Sequence, residues 1–250
     1  MKVVNKMFIF KEYYDLKKIK TKQFIAYTHL GLGDHIICNG LINKLSKNYE
    51  TIHLPVKSRD LSNLEYLYSE NPIIKVFKIE QESEKEDIKK YSSELGLKVL
   101  KIGFKKRFPP FNLSFYKQLD LDYEISFNEF SLPENTQKED TLKNHLFKTY
   151  KIKDRYQVVH NQSSYGEVKL KTNPKLQSIY IDKKTDIFNN LFLYKKILNH
   201  AQEIHCLDSS VLHLAERVET PGKLFFHKIK KENQIAAEVY LKKDWQEISY

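Results

Sequence analysis

Short apolar runs alternate with helical periodicity along this chain. Residues 24–27, 51–56, 73–79 and 99–103 read as buried strands. Between them lie helical patterns over 34–49, over 60–68 with Leu61, Leu64 and Leu67 on one face, and over the highly charged stretch 82–95. Residues 1–20 read as a strand or hairpin arm running into the basic stretch Lys17-Lys18-Ile19-Lys20. Residues 104–150 break the rhythm with a basic, aromatic stretch at 104–111 and helical patterns at 115–121 and 139–150. The alternation then resumes, with strands at 156–161, 178–182, 203–207 and 223–227 and helices at 191–201 and 209–218. Strand–helix alternation is the signature of a parallel sheet covered by helices. The pattern predicts an α/β protein with two Rossmann-like parallel-sheet domains, residues 1–150 and 151–250, facing each other across a cleft.

Two strand-to-helix junctions carry the candidate chemistry. The late one is Asp208-Ser209-Ser210-Val211-Leu212-His213, directly after the apolar run 204–207. Hydroxyls at a helix start satisfy orphan backbone N–H groups, and those N–H groups together with the helix dipole can instead hold a phosphate. An ordinary capped helix is the plain alternative. The early junction is Thr28-His29-Leu30-Gly31-Leu32-Gly33-Asp34. Its two glycines allow close backbone approach to a ligand. Ile36 stands where a dinucleotide fingerprint needs its third glycine, and no Gly-Lys-Ser/Thr of a P-loop is present. Asp34 would repel a phosphate on that helix start, so it suits an N-cap or a general base facing a hydroxyl.

Composition narrows the class. The chain has 250 residues, 41% hydrophobic and 13% aromatic, enough to bury one large core or two small ones. The formal charge of +10 is spread as +5 over residues 1–150 and +5 over 151–250, so it favours anionic partners without selecting one. Two cysteines, Cys38 and Cys206, give no disulfide framework. No secretory signal pattern and no long apolar span is visible, so a cytoplasmic location is expected.

The early strand–Gly-x-Gly-Asp–helix junction and the late strand–Asp-Ser-Ser-x-x-His-Leu-Ala–helix junction together resemble the two-Rossmann (GT-B) glycosyltransferases. The likeness is to the heptosyltransferase-like group and its relatives from bacterial, phage and giant-virus surface-sugar loci. In that group a Gly-Asp pair opens the first helix and its Asp is the proposed base, as Gly33-Asp34 would do here. The group's late motif is Asp-Ser/Thr-Gly-x-x-His-Leu-Ala, which residues 208–215 match with Ser210 in place of glycine. Its second domain opens with a strand followed by a Ser/Thr and Lys phosphate grip. Ser163 and Ser164 with Lys169 or Lys171 resemble that grip. The architecture covers most of the chain, while the matching motifs cover a small part of it. A second half this short implies a trimmed nucleotide domain.

The resemblance implies a glycosyltransferase that moves a sugar from a nucleotide-sugar donor to a glycan, a lipid-linked acceptor or another hydroxyl, inverting and metal-independent, with no cofactor. Asp34 would be the catalytic base. Gly31, Gly33, Ser163, Ser164, Lys169, Lys171, Asp208, Ser209, Ser210, Val211 and His213 would bind the donor. The alternative is a non-catalytic nucleotide- or glycan-binding protein of the same fold.

Other features carry less. Asp120-Leu121-Asp122 has the D-x-D form of a metal–nucleotide motif, but it follows a helix-like run where a helix-end turn is expected. His205 and Cys206 are adjacent and so point to opposite faces of a strand, which argues against zinc. No G-x-S-x-G elbow supports a serine hydrolase. The stretch 104–111 suits a weak membrane-surface or glycan contact, or a loop whose aromatics plug into the core. No motif for specific nucleic-acid recognition accompanies it.

Overall fold

The structure, a computed structural model, describes residues 10–105, 110–163, 166–229 and 238–250. Contacts divide the chain into two units. The first comprises Met1–Leu30, Cys38–Phe108 and Leu113–Ser131. The second comprises Gly31–Ile37, Pro109–Asn112 and Leu132–Tyr250.

The first unit holds a sheet of β1 (Glu12–Tyr13), β2 (Gln23–Tyr27), β3 (Thr51–Lys57), β4 (Ile74–Ile79) and β5 (Lys98–Lys101), in the order β1-β5-β2-β3-β4. All its pairings are parallel. The crossovers are α1 (Leu32–Ser46), α2 (Leu61–Leu67) and α3 (Glu84–Leu95). β2 and β3 are buried almost without interruption, as strands covered on both faces must be. The ladder between β2 and β3 ends at Ile25 and His53, so Pro55 lies beyond their pairing. One core cluster gathers Ile25, Tyr27, Leu30 and Val99 with Ile79, Ile88 and Leu97. Of the stretch read as a strand or hairpin arm, residues 1–9 lie outside the described residues, and β1 is a parallel edge strand beside β5. After β5 come two single-turn helices, α4 (Ser114–Lys117) and α5 (Ile125–Asn128).

The second unit contains α6 (Thr136–Thr149), capped by the Asn135 side chain. Its sheet contains β6 (Tyr156–His160), β9 (Gln177–Tyr180), β10 (Glu203–Cys206), β11 (Lys223–Lys228) and β12 (Trp245–Ser249), in the order β12-β11-β10-β6-β9. These pairings are parallel as well. A small antiparallel pair, β7 (Gln162–Ser163) and β8 (Gly166–Glu167), follows β6. The helices are α7 (Lys195–His200) and α8 (Ser210–Arg217). Each unit thus holds a five-stranded parallel sheet with helices among its crossovers, the α/β class read from the sequence. No helix among the described residues is long and apolar enough to cross a membrane.

Strand order reverses once in each sheet. In the first, β3 and β4 step away on one side of β2, and β5 returns to its other side. In the second, β9 lies on one side of β6, and β10 and β11 lie on the other. Loops leaving the carboxyl ends of strands diverge at such a reversal and leave a crevice for ligands. The Gly31–Asp34 segment leaves β2, and the Asp208–His213 segment leaves β10. Both candidate junctions therefore emerge beside a reversal point.

Candidate functional site

The turn after β10 is built as its sequence suggests. Ser209 is extended, with φ −163°, and caps α8. Its Oγ donates to the Leu207 carbonyl at 3.1 Å and accepts from the Leu212 N–H at a long 3.5 Å. The Ser209 carbonyl accepts the His213 N–H, which starts the helix. No acceptor among the described residues takes the N–H groups of Ser210 and Val211. No acidic residue lies in the first turn of α8. The helix start therefore keeps part of its positive dipole charge, with the Asp208 carboxylate standing one residue before the cap. Val211 is buried, and Ser210 is half-buried.

His213 sits one turn into the helix and is 7% exposed. Its Nε2 lies 3.6 Å from Asp208 Oδ1, an ion-pair distance longer than a hydrogen bond. Its Nδ1 is buried with no hydrogen-bond partner among the described residues, which costs free energy unless a ligand or water supplies one. The strand ends at this reversal are tied together, because the Leu207 N–H donates to the His160 carbonyl at 3.3 Å.

The segment Gly31–Ile37 belongs to the same unit as this turn. A Cβ on Gly33 would stand 3.1 Å from His213 Cδ2 and 3.7 Å from the Ser210 nitrogen, so glycine is what allows the backbone to approach there. Asp34 departs from the N-cap position considered from sequence. Helix α1 begins at Leu32, and the Gly31 carbonyl accepts the His35 N–H, so Gly31 is the cap and Asp34 is the third helical residue. From there Asp34 Oδ2 accepts the Gly31 N–H at 3.2 Å, the returning half of a capping box. A Cβ on Gly31 would stand 2.7 Å from that oxygen. The preceding residue, Leu30, is fully buried with φ +63°, a left-handed conformation that is strained for leucine.

The structure thus brings Gly33, Ser210 and His213 together, with Asp208 against His213 and Asp34 against Gly31. The remaining expected donor-binding residues are placed differently. Ser163 pairs with Gly166 in the small hairpin, and Ser164 lies outside the described residues. Lys169 is exposed on the coil that follows. Lys171 donates its backbone N–H to the Tyr250 hydroxyl, and its ammonium stands over the Tyr250 ring, 4.9 Å from the centroid. Its charge is directed to that aromatic face.

At the reversal point of the first sheet, side chains fill the space. The His29 Nε2–H donates to the Gly103 carbonyl at 3.0 Å, and its ring stacks on Phe104 at 4.2 Å. Gln118 holds the same loop, accepting the Gly103 and Lys105 N–H groups and donating to the Lys101 and Tyr14 carbonyls. Phe104 therefore takes the core-plugging course, while residues 106–109 lie outside the described residues. Sequence reasoning overlooked His29 and Gln118. A histidine immediately before a glycine loop was the available signal for the first, and Gln118 gave none. In the D-x-D stretch, Asp120 is left-handed at φ +55° and ion-paired with exposed Lys17, and Asp122 accepts the Glu124 N–H. That is a helix-end turn.

No family model matches the chain, and no curated protein matches it by sequence. Two solved structures do match by fold. One is a glycosyl transferase family 9 protein from Veillonella parvula, with a TM-score of 0.58 and 11% identity over 92% of this chain and 87% of that one. The other is the E. coli ADP-heptose lps heptosyltransferase II, with a TM-score of 0.49 and 10% identity over 90% of each chain. At such identity the likeness is one of fold, with two parallel α/β units.

Proposed function

We propose that this chain is a glycosyltransferase that takes a nucleotide-activated sugar as donor and a glycan, lipid-linked or other hydroxyl group as acceptor, acting in the cytoplasm. The observation that carries the reading is the start of α8, where, among the described residues, the N–H groups of Ser210 and Val211 have no acceptor and the buried His213 Nδ1 has no partner. A donor diphosphate would accept hydrogen bonds at this helix start, and the shared fold supports the class of chemistry. The acceptor oxygen attacks the anomeric carbon, the bond from that carbon to the diphosphate breaks, and the nucleoside diphosphate departs with its electron pair. The helix dipole and Lys169 stabilise the charge that develops on it. Asp34 takes the acceptor's proton. Direct attack of this kind inverts the anomeric centre, and no metal is assigned a role.

Asp34 Oδ2 already accepts the Gly31 N–H, and that contact favours a second reading, a nucleotide- or glycan-binding protein of this fold without turnover. Slow hydrolysis of a nucleotide sugar without acceptor separates the two. The donor site itself is tested by Ser210→Glu, which sets a fixed negative charge where the diphosphate belongs. ADP and UDP affinity should be lost while the melting temperature stays within a few degrees of wild type. Unchanged affinity would remove the site.

A further inference from the structure

The crossover from β6 to β9 runs as coil over residues 168–176, where a parallel sheet usually carries a helix. Coil backbone pressed on a sheet needs hydrogen-bond partners, and one face of the second sheet supplies them. Gln157 and Asn173 exchange side-chain-to-backbone bonds at 2.9 and 3.1 Å, and Asn173 Nδ2 donates to Glu203 Oε1 at 2.9 Å. The face continues through His205, Phe225 and His227 to Tyr250, positions that alternate along the strands.

Those polar groups form one chain with a single direction. The Glu203 carboxylate faces His205 Nε2 at 3.2 Å, so Nε2 carries the proton and Nδ1 is bare. His205 Nδ1 then accepts from His227 Nε2 at 3.0 Å. That leaves His227 Nδ1 to accept from the Tyr250 hydroxyl at 2.8 Å. The Tyr250 oxygen in turn accepts the Lys171 N–H at 2.6 Å. Both histidines are neutral in this arrangement, and each ring nitrogen is used once. An added proton on either ring sets two donors against each other and forces the tautomers and the Tyr250 hydroxyl to rearrange.

We propose that Glu203, His205, His227 and Tyr250 form a positioning relay that latches the coil carrying Lys169 and Lys171, and that a proton taken up by the histidine pair loosens this coil. Its consequence for catalysis rests on the donor-binding reading given above. The titratable and charged groups set against the pair are Glu203 on β10, Tyr250 beyond β12 and Lys171 on the coil. Burial lowers both histidines, taking His227 to about 4 with help from His205 and Lys171, while Glu203 opposes the fall at His205. The unfolded chain therefore binds protons near the ordinary histidine range, and the folded chain does so only at lower pH. The latch is at full strength above about 6.5 and weakens as pH falls toward about 4.

Amide hydrogen exchange on the full chain, normalised to intrinsic rates, tests the relay at pH about 7.5 and about 5. Protection of the Lys171 amide should fall about tenfold at the lower pH. Tyr250→Phe should lose that protection already at the higher pH while α8 keeps its own. His227→Gln, which can donate and accept but does not titrate, should retain protection and flatten the pH dependence. Should that variant fail to fold, nitrogen chemical shifts of the wild-type imidazoles serve instead, since both rings must be neutral with the proton on Nε2. The relay is overturned by equal Lys171 protection at both pH values and in Tyr250→Phe, by a loss spread evenly over the second sheet, or by a proton on either Nδ1. ADP and UDP titrations of the wild type and Tyr250→Phe run alongside. A working latch without nucleotide binding overturns the donor reading alone. A loosened coil with unchanged affinity overturns the coil's share in donor binding.

Discussion

Helices α1 and α8 leave their strands beside equivalent reversal points, yet their first turns are finished in opposite ways. The start of α1 is closed on itself, because Asp34 in the first turn takes the Gly31 N–H and the Gly31 carbonyl takes the His35 N–H. The start of α8 has a long capping bond, no acid in the first turn and two N–H groups without an acceptor among the described residues. A carboxylate at a helix start neutralises the dipole and repels an anion, so the first junction suits a proton acceptor and the second an anion site. The same strand–turn–helix unit thus serves two kinds of chemistry according to where one carboxylate stands.

The largest expected effect lies at the closed start. Asn in place of Asp34 can still accept the Gly31 N–H, so Asp34→Asn should leave the melting temperature nearly unchanged. If Asp34 is the base, the transfer rate should fall by about 10²–10⁴-fold with donor affinity retained. A variant that keeps both its stability and its rate would reduce Asp34 to a cap and remove half of the comparison.

The two helices are also seated differently. Helix α1 is held by close backbone contact, since a Cβ on Gly40 would stand 2.2 Å from the Ile125 carbonyl oxygen. Helix α8 is held by polar groups from late in the chain. Lys243 Nζ donates to the Ala215 and Val218 carbonyls and to Thr220 Oγ1, and Glu216 accepts the Trp245 Nε1–H and the backbone N–H groups of Lys242 and Lys243. Burial lowers Lys243 to about 8, so it remains charged at neutral pH and complements the helix C-terminus. Gly40→Ala should cost about 2–3 kcal/mol from overpacking, exceeding the helix-propensity gain of about 1 kcal/mol. Lys243→Met should cost about 1–3 kcal/mol by leaving carbonyls unpaired. Urea unfolding of the two variants measures both. A stabilised Gly40→Ala would show that α1 can shift away from Ile125.

The strands were legible because each is a short apolar run between helical patterns, and the 203–207 expectation falls within a residue of the observed strand. The Ser209 cap was legible as well, since a hydroxyl after a buried strand has few other uses there. Asp34's role was obscured by a boundary: starting the helix at Leu32 instead of 34 moves the carboxylate from the cap to the third helical residue. Strand β12 escaped notice because it is a polar edge strand with one buried residue, Trp245. The relay escaped for a related reason. Glu203, His205 and His227 look like interruptions in apolar strands, and their partners Asn173 and Tyr250 lie far away in sequence. A polar residue inside a strand can be interpreted only once the chain that covers it is known.

The smallest expected effect is the most direct measure of the open helix start. An acidic residue at the cap accepts the Leu212 N–H more strongly than a serine 3.5 Å away, and it also opposes the helix dipole favourably. Ser209→Asp should therefore stabilise the ligand-free protein by about 0.5–1 kcal/mol. The same carboxylate would occupy the position proposed for the donor's phosphates, so ADP and UDP affinity should disappear. Helix α1 carries a carboxylate in its first turn, at the third helical residue, where α8 has none. Opposite movement of melting temperature and nucleotide affinity in one variant identifies a helix start kept open for a ligand at the expense of stability. If Ser209→Asp instead raises stability and leaves affinity intact, the turn is an ordinary cap, and the contrast with α1 is one of sequence without consequence for chemistry.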